Sequence, residues 1–257
     1  MIIANIKVFL TMSAMQPATS AAKSMIQNHL RLQPLFQPLR DETLAGFAEY
    51  AALKFEKKGT VLFSAETPNE KIYFVLSGWV KLFRETLAGD EAVIDVLTSG
   101  HFFGEIGLSG HDHMPYGAEV VEDAEIIAIP RFLLAEEIMR NSLFGMAVLQ
   151  NMTCQRLHRD MEIEHRTVQS APQRIGCFLL KLCRDDRAGA VTLHLPYDKT
   201  VVAHRLGMQP ETFSRALAKL RDETGLRVRG ATVEIDDVQK LVDYTCSACS
   251  SSFPCAD

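Results

Sequence analysis

Three cysteines near the C-terminus have a spacing that suits metal chemistry. Cys246, Cys249 and Cys255 form a C-x2-C-x5-C pattern, and a two-residue gap allows two thiolates to face the same ion. The pattern predicts an iron–sulfur cluster or a zinc site, with a disordered Ser/Cys-rich tail as the alternative. A fourth ligand is required, and the candidates lie on a predicted long helix: Cys154, His158, Asp160, Glu162 and His165. Cys177 and Cys183 occupy core-like helical positions and are predicted to be packing residues.

A second group of polar residues has the types that read DNA bases. Two short helices joined by a turn at Gly207 are predicted, with Asp198 as N-cap of the first and Pro210 opening the second. This pattern is typical of a helix-turn-helix, whose second helix enters the major groove. Apolar positions face inward, and the outward-facing side chains are Gln209, Glu211, Thr212, Ser214, Arg215 and Lys219.

The chemistry of these outward residues fits base edges and phosphates. Arginine pairs bidentately with guanine, and a carboxylate accepts from the cytosine amino group. Three further cations, Lys199, Arg205 and Arg221, are predicted to contact phosphates without reading sequence. Between residues 169 and 230 there are eleven basic and six acidic residues, although the whole chain has a net charge of −5. A basic module on an acidic body indicates a polyanionic partner.

Two different periodicities position these groups. From Phe55 to Ile129, short apolar runs alternate with turn residues about every ten positions, which predicts an antiparallel β domain. From 141 to 168 the pattern is helical and contains a heptad seam, which predicts a helix that pairs with its own copy. The alternative is a helix packed on its own β domain. The seam consists of Leu143, Ala147, Gln150, Cys154, Leu157, Met161, Glu164 and Val168. A strand at 191–195 and a hairpin around Gly230 complete a winged module.

The order of these elements, together with Gln-Pro-Glu-Thr-Phe-Ser-Arg at 209–215, resembles the CRP/FNR family of bacterial transcription regulators, most closely its FNR and DNR branches. The resemblance implies an α+β fold with an N-terminal antiparallel β-roll of the cyclic nucleotide-binding type, a long dimerisation helix and a C-terminal winged helix-turn-helix. The expected divisions are a disordered extension (1–24), the β-roll sensor domain (25–140), the dimerisation helix (141–168), the DNA-binding domain (169–244) and the Cys-rich tail (245–257).

The resemblance also implies what the protein does. In the family, residues matching Glu211, Ser214 and Arg215 read a TTGAT half-site, the first and last on the G·C pair and the serine on the outer thymines. We therefore expect a homodimer that binds double-stranded DNA at a TTGAT-N4-ATCAA-like palindrome in response to a redox or gas signal, oxygen or nitric oxide. RNA polymerase is the expected protein partner.

The effector site is where this chain departs from the family. The segment from Gly104 and Glu105 resembles the phosphate-binding cassette of the cyclic-nucleotide members, but Tyr116 stands where they have an arginine. A buried phosphate would lack a countercharge, so we expect no cyclic AMP and a retained structural turn. Glu66 replaces a usual glycine. Haem, implied by the DNR resemblance, has as candidate axial ligands His101, His111, His113, His158 and His165.

Other functions remain possible on the same residues. One is a cyclic-nucleotide-responsive regulator, and another is a β-roll metal-binding protein or cupin-like oxygenase that uses His101, Glu105, His111 and His113. Such an enzyme has no need of the basic module, so we expect no enzyme. A third is a ligand-binding module whose helix-turn-helix docks a protein. No apolar run approaches the roughly 20 residues that span a bilayer, and we expect no membrane partner, a cytoplasmic location and reduced cysteines.

Overall fold

The computed structural model describes residues 20–183, 190–195, 199–247 and 249, without the side chain of His158. The N-terminal part contains one antiparallel sheet, the β-roll, in the order β1-β6-β3-β4, with β2 paired to β6 and β5 paired to β3. Its strands are Ala52–Glu56 (β1), Val61–Phe63 (β2), Lys71–Glu85 (β3), Glu91–Leu97 (β4), Phe102–Phe103 (β5) and Gly117–Pro130 (β6). The predicted antiparallel β domain is confirmed.

The close pairing of β3 with β6 depends on a glycine. The two strands pair from Lys71 opposite Pro130 to Phe83 opposite Gly117, with register shifts around Gly78. Gly78 has φ of 79°, and a Cβ at this position would lie 2.2 Å from the backbone oxygen of Asp123. Glycine therefore allows both the left-handed conformation and the close approach of the strands.

Helices cover one end of the β-roll. Ser20–Leu32 (α1) and Asp41–Tyr50 (α2) flank a 3-10 turn at Pro34–Phe36. Ile26 and Leu30, one helical turn apart, are 0% and 1% exposed in the core that contains Phe36. The predicted disordered extension over residues 1–24 is wrong for residues 20–24, because burial of these apolar side chains stabilises a helix that begins at Ser20. Residues 1–19 lie outside the described part.

A long helix leaves the β-roll after Arg131–Arg140 (α3). This helix, Ser142–Val168 (α4), begins after Asn141, whose side-chain oxygen accepts a hydrogen bond from the Phe144 amide at 3.2 Å. Phe144 and Val148 are buried in the core of their own domain, and the rings of Phe144 and Phe36 stack with centroids 6.1 Å apart. The first turns of α4 thus pack on the β-roll. This agrees with the alternative prediction of a helix packed on its own β domain.

The opposite side of α4 presents several exposed apolar side chains. Leu143, Met146, Leu157 and Val168 are each more than half exposed, and at 100° per residue they lie within about 60° of the helix circumference. We call these four residues the α4 stripe. Phe144 and Val148 lie on the other side of the helix, so α4 both packs on its own domain and presents the seam side to solvent.

The C-terminal part has its own core. It contains the helices Ala171–Leu182 (α5), Lys199–Arg205 (α6), Pro210–Thr224 (α7) and Val238–Cys246 (α8), and the sheet β7-β9-β8 of Val191–His194 (β7), Arg227–Arg229 (β8) and Thr232–Ile235 (β9). Ile175, Leu179, Phe213 and Leu220 are all at most 1% exposed in this core. The predicted wing is confirmed, since β8 and β9 form an antiparallel hairpin around Gly230. The predicted N-cap, Asp198, lies outside the described residues.

The C-terminal part contacts the β-roll through α6 and β4. Val201 of α6 packs with Trp79, Val96 and Val121 of the β-roll, and His194 lies 2.8 Å from a carboxylate oxygen of Glu122. Among the described helices, none combines the length and apolar character that crossing a membrane requires.

Candidate DNA-binding interface

Helix α7 has clear start and stop signals and one buried face. Gln209 precedes it in an extended conformation, Pro210 occupies its first turn, and Gly225 follows it with φ of 80°. Phe213, Leu217 and Leu220 seat the helix in the domain core. The burial of these three positions fixes which side chains α7 can present to a partner.

The face of α7 opposite this core carries the predicted base-reading residues. Gln209, Glu211, Ser214, Arg215 and Lys219 are exposed, and Thr212 is half-buried. The Ser214 hydroxyl donates to the Pro210 carbonyl at 3.0 Å, which leaves its oxygen free to accept a further hydrogen bond. Within the described chain, neither Glu211 nor Arg215 has an ion-pair partner. An acceptor and a guanidinium one turn apart are thus available at the start of the helix.

Of the three cations predicted to contact phosphates, Arg221 is exposed and lies 3.4 Å from its neighbour Asp222, and Lys199 is half-buried at the start of α6. The prediction for Arg205 is wrong. Its guanidinium points away from the α7 face and towards the β-roll.

Arg205 joins three elements. Its Nε donates to a carboxylate oxygen of Asp95 in β4 at 2.7 Å, and its Nη2 donates to a carboxylate oxygen of Glu162 in α4. Its side chain is only 12% exposed. Burial alone would lower the pKa of Arg205, but the charges of Asp95 and Glu162 outweigh burial and raise it. The guanidinium therefore stays charged and ties the helix-turn-helix to the rest of the molecule, a role that sequence periodicity on α6 cannot show.

The wing also contains an internal ion pair. Arg227 of β8 donates to Glu234 of β9 at 2.9 Å and to Asp236 at 2.8 Å. The pKa of Arg227 is raised, first by the hydrogen bond to Glu234 and then by the charge of Asp236. Arg227 therefore contributes to the basic charge of the module but is already neutralised locally, whereas Arg229 is exposed near the tip of the wing.

The turn at Gly104 in the β-roll is held by Tyr116. Gly104 has φ of 90°, and a Cβ there would lie 2.8 Å from the Lys71 carbonyl oxygen. The Gly104 amide donates to the Tyr116 hydroxyl at 3.2 Å. The Tyr116 hydroxyl therefore satisfies a backbone amide of this turn.

Aromatic rings and a buried carboxyl fill the rest of this region. The ring of Phe103 lies 5.1 Å from that of Tyr73 and 5.9 Å from that of Phe63. Burial raises the pKa of Glu105, whose Oε2 has no hydrogen-bond partner in the described chain. Glu66 has φ of 63°, the left-handed conformation that a glycine would adopt more easily.

The thiol of Cys249 in the tail contacts His165 of α4. His165 is 6% exposed, and its Nε2 lies 3.1 Å from the Cys249 sulfur. Its Nδ1 lies 3.5 Å from the Cys177 sulfur, so Cys177 is not a pure packing residue. Cys183 is buried in the domain core, and its thiol donates to the Leu179 carbonyl at 3.3 Å.

The structure brings together only part of the predicted metal-ligand set. Cys154 is exposed on α4, eleven residues or about 16 Å of helix before His165, so it is not placed beside Cys249. Cys255 lies outside the described residues. In the described part of the chain, no three His, Cys, Asp or Glu side chains are arranged to hold a metal ion. Of the predicted ligands, the structure places His165 beside Cys249.

Comparison with known proteins matches both parts of the chain. Residues 53–141 match the cyclic nucleotide-binding domain, and residues 173–244 match the Crp-like helix-turn-helix domain. A solved structure from Ruegeria pomeroyi is 33% identical, covers 88% of this chain and 99% of its own, and has a TM-score of 0.68.

Two curated relatives span similar lengths. The global nitrogen regulator of Nostoc is 27% identical over 70% of this chain and 83% of its own length. The cyclic AMP receptor protein of Thermus thermophilus is 28% identical over 81% of this chain and 94% of its own length. Together with the β-roll, the long helix and the winged helix-turn-helix, these matches show that the chain belongs to the CRP/FNR family of transcription regulators.

Proposed function

We propose that this regulator binds, as a homodimer, a TTGAT-N4-ATCAA-like palindrome and that its DNA binding responds to a redox or gas signal. The observation that carries the DNA part is the exposure of Glu211, Ser214 and Arg215 at the start of α7, with no ion-pair partner for Glu211 or Arg215 in the described chain. A carboxylate and a guanidinium at this position can bind the two bases of one G·C pair. Arg221 and Lys199 supply phosphate contacts, which position the module without reading sequence.

The homodimer is supported by the α4 stripe. Two recognition helices must lie about 34 Å apart to enter successive major grooves on one face of the duplex. Four apolar side chains on one side of a 27-residue helix provide a surface that a second copy can cover with the same surface. RNA polymerase is the partner through which a DNA-bound regulator of this kind would act.

The redox or gas signal is supported by the position of the tail thiols. Cys249 contacts His165 at the end of α4, next to the junction with the DNA-binding domain, so chemistry at this thiol is well placed to affect that junction. An iron–sulfur cluster is the proposed cofactor and haem is the second candidate. When bound, either group would supply reversible reaction with oxygen or nitric oxide. A cyclic nucleotide is disfavoured because Tyr116 satisfies the Gly104 amide.

The DNA proposal is tested by fluorescence anisotropy with two duplexes, the palindrome and a copy in which the G·C pair of each half-site is replaced by A·T. The parent should prefer the palindrome, and Arg215→Ala should lose roughly 1–3 kcal/mol of that preference. Arg221→Ala is the matched control, an arginine removed from the same helix, and should weaken both duplexes alike. Equal discrimination by Arg215→Ala and the parent would contradict the assignment.

The signal proposal is tested separately by iron and sulfide analysis and absorption spectra of protein purified without oxygen. A cluster should give iron with sulfide, haem should give a Soret band, and Cys249→Ser should abolish the cluster signal. Cys154→Ser is the control, since Cys154 is exposed three helical turns away and should have no effect. Protein that contains neither iron nor haem would rule out both cofactors.

A further inference from the structure

A cavity lies where α4 ends, α5 begins and α6 packs beneath them. It has about 410 Å³ of space between atoms, counting its open mouth. Arg166 and Gln169 at the end of α4, Arg174 and Phe178 of α5, and Leu206 after α6 line it. We call it the hinge cavity, because it spans the break between the long helix and the DNA-binding domain. None of these residues belongs to the base-reading face of α7.

Two polar atoms of this lining are buried without a hydrogen-bond partner in the described chain. They are Nε of Arg174 and Oε1 of Gln169, and Gln169 as a whole is only 6% exposed. Buried polar groups in folded proteins nearly always have a partner. One donor and one acceptor that lack partners in the same cavity indicate a ligand that both accepts and donates hydrogen bonds.

The charged side chains that line the hinge cavity indicate the sign of the ligand's charge. Arg205 is held by Asp95 and Glu162, and Lys181 lies 3.9 Å from Glu162. Arg166 donates to the Arg205 backbone carbonyl at 3.4 Å, and in the described chain neither Arg166 nor Arg174 has a carboxylate within ion-pair distance.

The two guanidiniums also act on each other. Burial, and then the positive charge of Arg166, lower the pKa of Arg174. Two like charges that repel in a partly buried space are stabilised by an anion placed between them, and the planar guanidinium fork matches carboxylate and phosphate oxygens.

We propose that the hinge cavity binds a small organic oxyanion, a carboxylate or a phosphate ester, that also carries a hydroxyl group. Its oxygens pair with Arg166 and Arg174, and its hydroxyl donates to Oε1 of Gln169. The carbon skeleton packs against Phe178 and Leu206. Such a ligand connects the last turns of α4 to α5 across Ser170, the joint on which the orientation of the DNA-binding domain depends. This site is independent of how α7 reads bases. It adjoins the tail, because His165, which contacts Cys249, also lines the cavity.

The test uses the full chain and three probes: L-malate, glycerol 3-phosphate and inorganic phosphate, which has no carbon skeleton. Isothermal titration calorimetry is run at constant ionic strength. Malate or glycerol 3-phosphate should bind saturably and at least about tenfold more tightly than inorganic phosphate, a difference of about 1.4 kcal/mol. Comparing the affinities for malate and for glycerol 3-phosphate distinguishes a carboxylate ligand from a phosphate ester.

Variants identify the site. Arg174→Gln should weaken binding at least about tenfold, and Arg174→Lys, which keeps the charge without the fork, should give an intermediate affinity. Lys219→Gln, which removes the same charge from the exposed face of α7, should bind as the parent does. Gln169→Leu should lower the affinity for the hydroxyl-bearing probes towards that for inorganic phosphate.

Thermal unfolding without added anion checks that Arg174→Gln is folded. Because the repulsion from Arg166 is removed, its Tm should equal or exceed that of the parent, and a lower Tm would show that Arg174 already has its partner in the chain. That result would overturn the proposal. So would the absence of saturable binding for all three probes up to about 10 mM, unchanged affinity in Arg174→Gln, or an equal loss in Lys219→Gln.

Discussion

Arg205 belongs by sequence to the helix-turn-helix, yet its guanidinium lies between Asp95 of the β-roll and Glu162 of α4. A cation on a DNA-binding helix is expected to face phosphates, and only the packing of α6 on β4 shows otherwise. The residue therefore contributes to the attachment of the DNA-binding domain and not to the DNA contact.

Arg205→Ala should lower the free energy of unfolding by about 1–3 kcal/mol, because Asp95 loses its ion-pair partner and Glu162 loses the nearer of its two cations. The value is below that of a fully buried pair, since Asp95 and Glu162 are about one third exposed and partly screened. Urea unfolding followed by circular dichroism measures it, with Arg221→Ala as an exposed control expected to change little. Normal stability together with weaker DNA binding would restore the phosphate-contact interpretation.

Ionisation of the buried Glu105 should make the folded protein less stable as pH rises. Burial raises its pKa in the folded protein above the ordinary glutamate value of 4.5, so the folded state holds this proton more tightly than the unfolded state. The stability that the protonated Glu105 carboxyl contributes is fully present below pH 4.5. It is lost as pH rises through the folded-state pKa of Glu105. Stability measured from pH 4.5 to 8 should fall more steeply for the parent than for Glu105→Gln, which cannot ionise. Parallel curves would show that Glu105 has its ordinary pKa.

At the scale of the elements, α4 has one face packed on its own domain and another face exposed to solvent. Its buried face contains Phe144 and Val148, and its exposed face contains the α4 stripe. The heptad positions in the sequence indicated the exposed face, but the burial of Phe144 against Phe36 depends on a 3-10 turn about a hundred residues earlier. A single stripe in the sequence therefore could not show that the helix is used on both sides.

Leu157→Glu should give monomers with little specific DNA binding, because it places like charges opposite each other in the proposed dimer seam. Sedimentation velocity at micromolar concentration is the measurement. Leu87→Glu is the matched control, the same change at another exposed leucine, located in the β3–β4 turn. If Leu157→Glu sediments as the parent dimer does, the interface is elsewhere.

The predictable part of the fold consists of features that are local in sequence. The turn at Gly104, the start of α7 at Pro210 and the wing around Gly230 all follow from residues that the local backbone requires. The base-reading face of α7 follows from the spacing of its apolar positions. Contacts between distant segments, such as Arg205 with Asp95 or His165 with Cys249 and Cys177, depend on how whole domains pack and leave no local pattern.

At the scale of the whole molecule, the chain is acidic but presents a basic face. With a net charge of −5, it relies on local cations to attract DNA, so its affinity should fall steeply with salt. Lys199→Ala removes one proposed phosphate contact per protomer and should reduce the slope of log K against log salt by about two in a dimer. Anisotropy titrations over several salt concentrations measure the slope. An unchanged slope would mean that Lys199 does not contact phosphate.

The hydrogen bond between the Tyr116 hydroxyl and the Gly104 amide sets a threshold for any soluble competitor. Because the hydroxyl is tethered to the same chain, its effective concentration at that amide is of millimolar order or higher. A metabolite present at micromolar levels must therefore bind the cassette on the order of a thousandfold more tightly than the tyrosine does before it can displace it. A ligand that needs the Gly104 amide therefore competes with the Tyr116 hydroxyl, whereas a ligand that binds elsewhere on the molecule does not meet this competition.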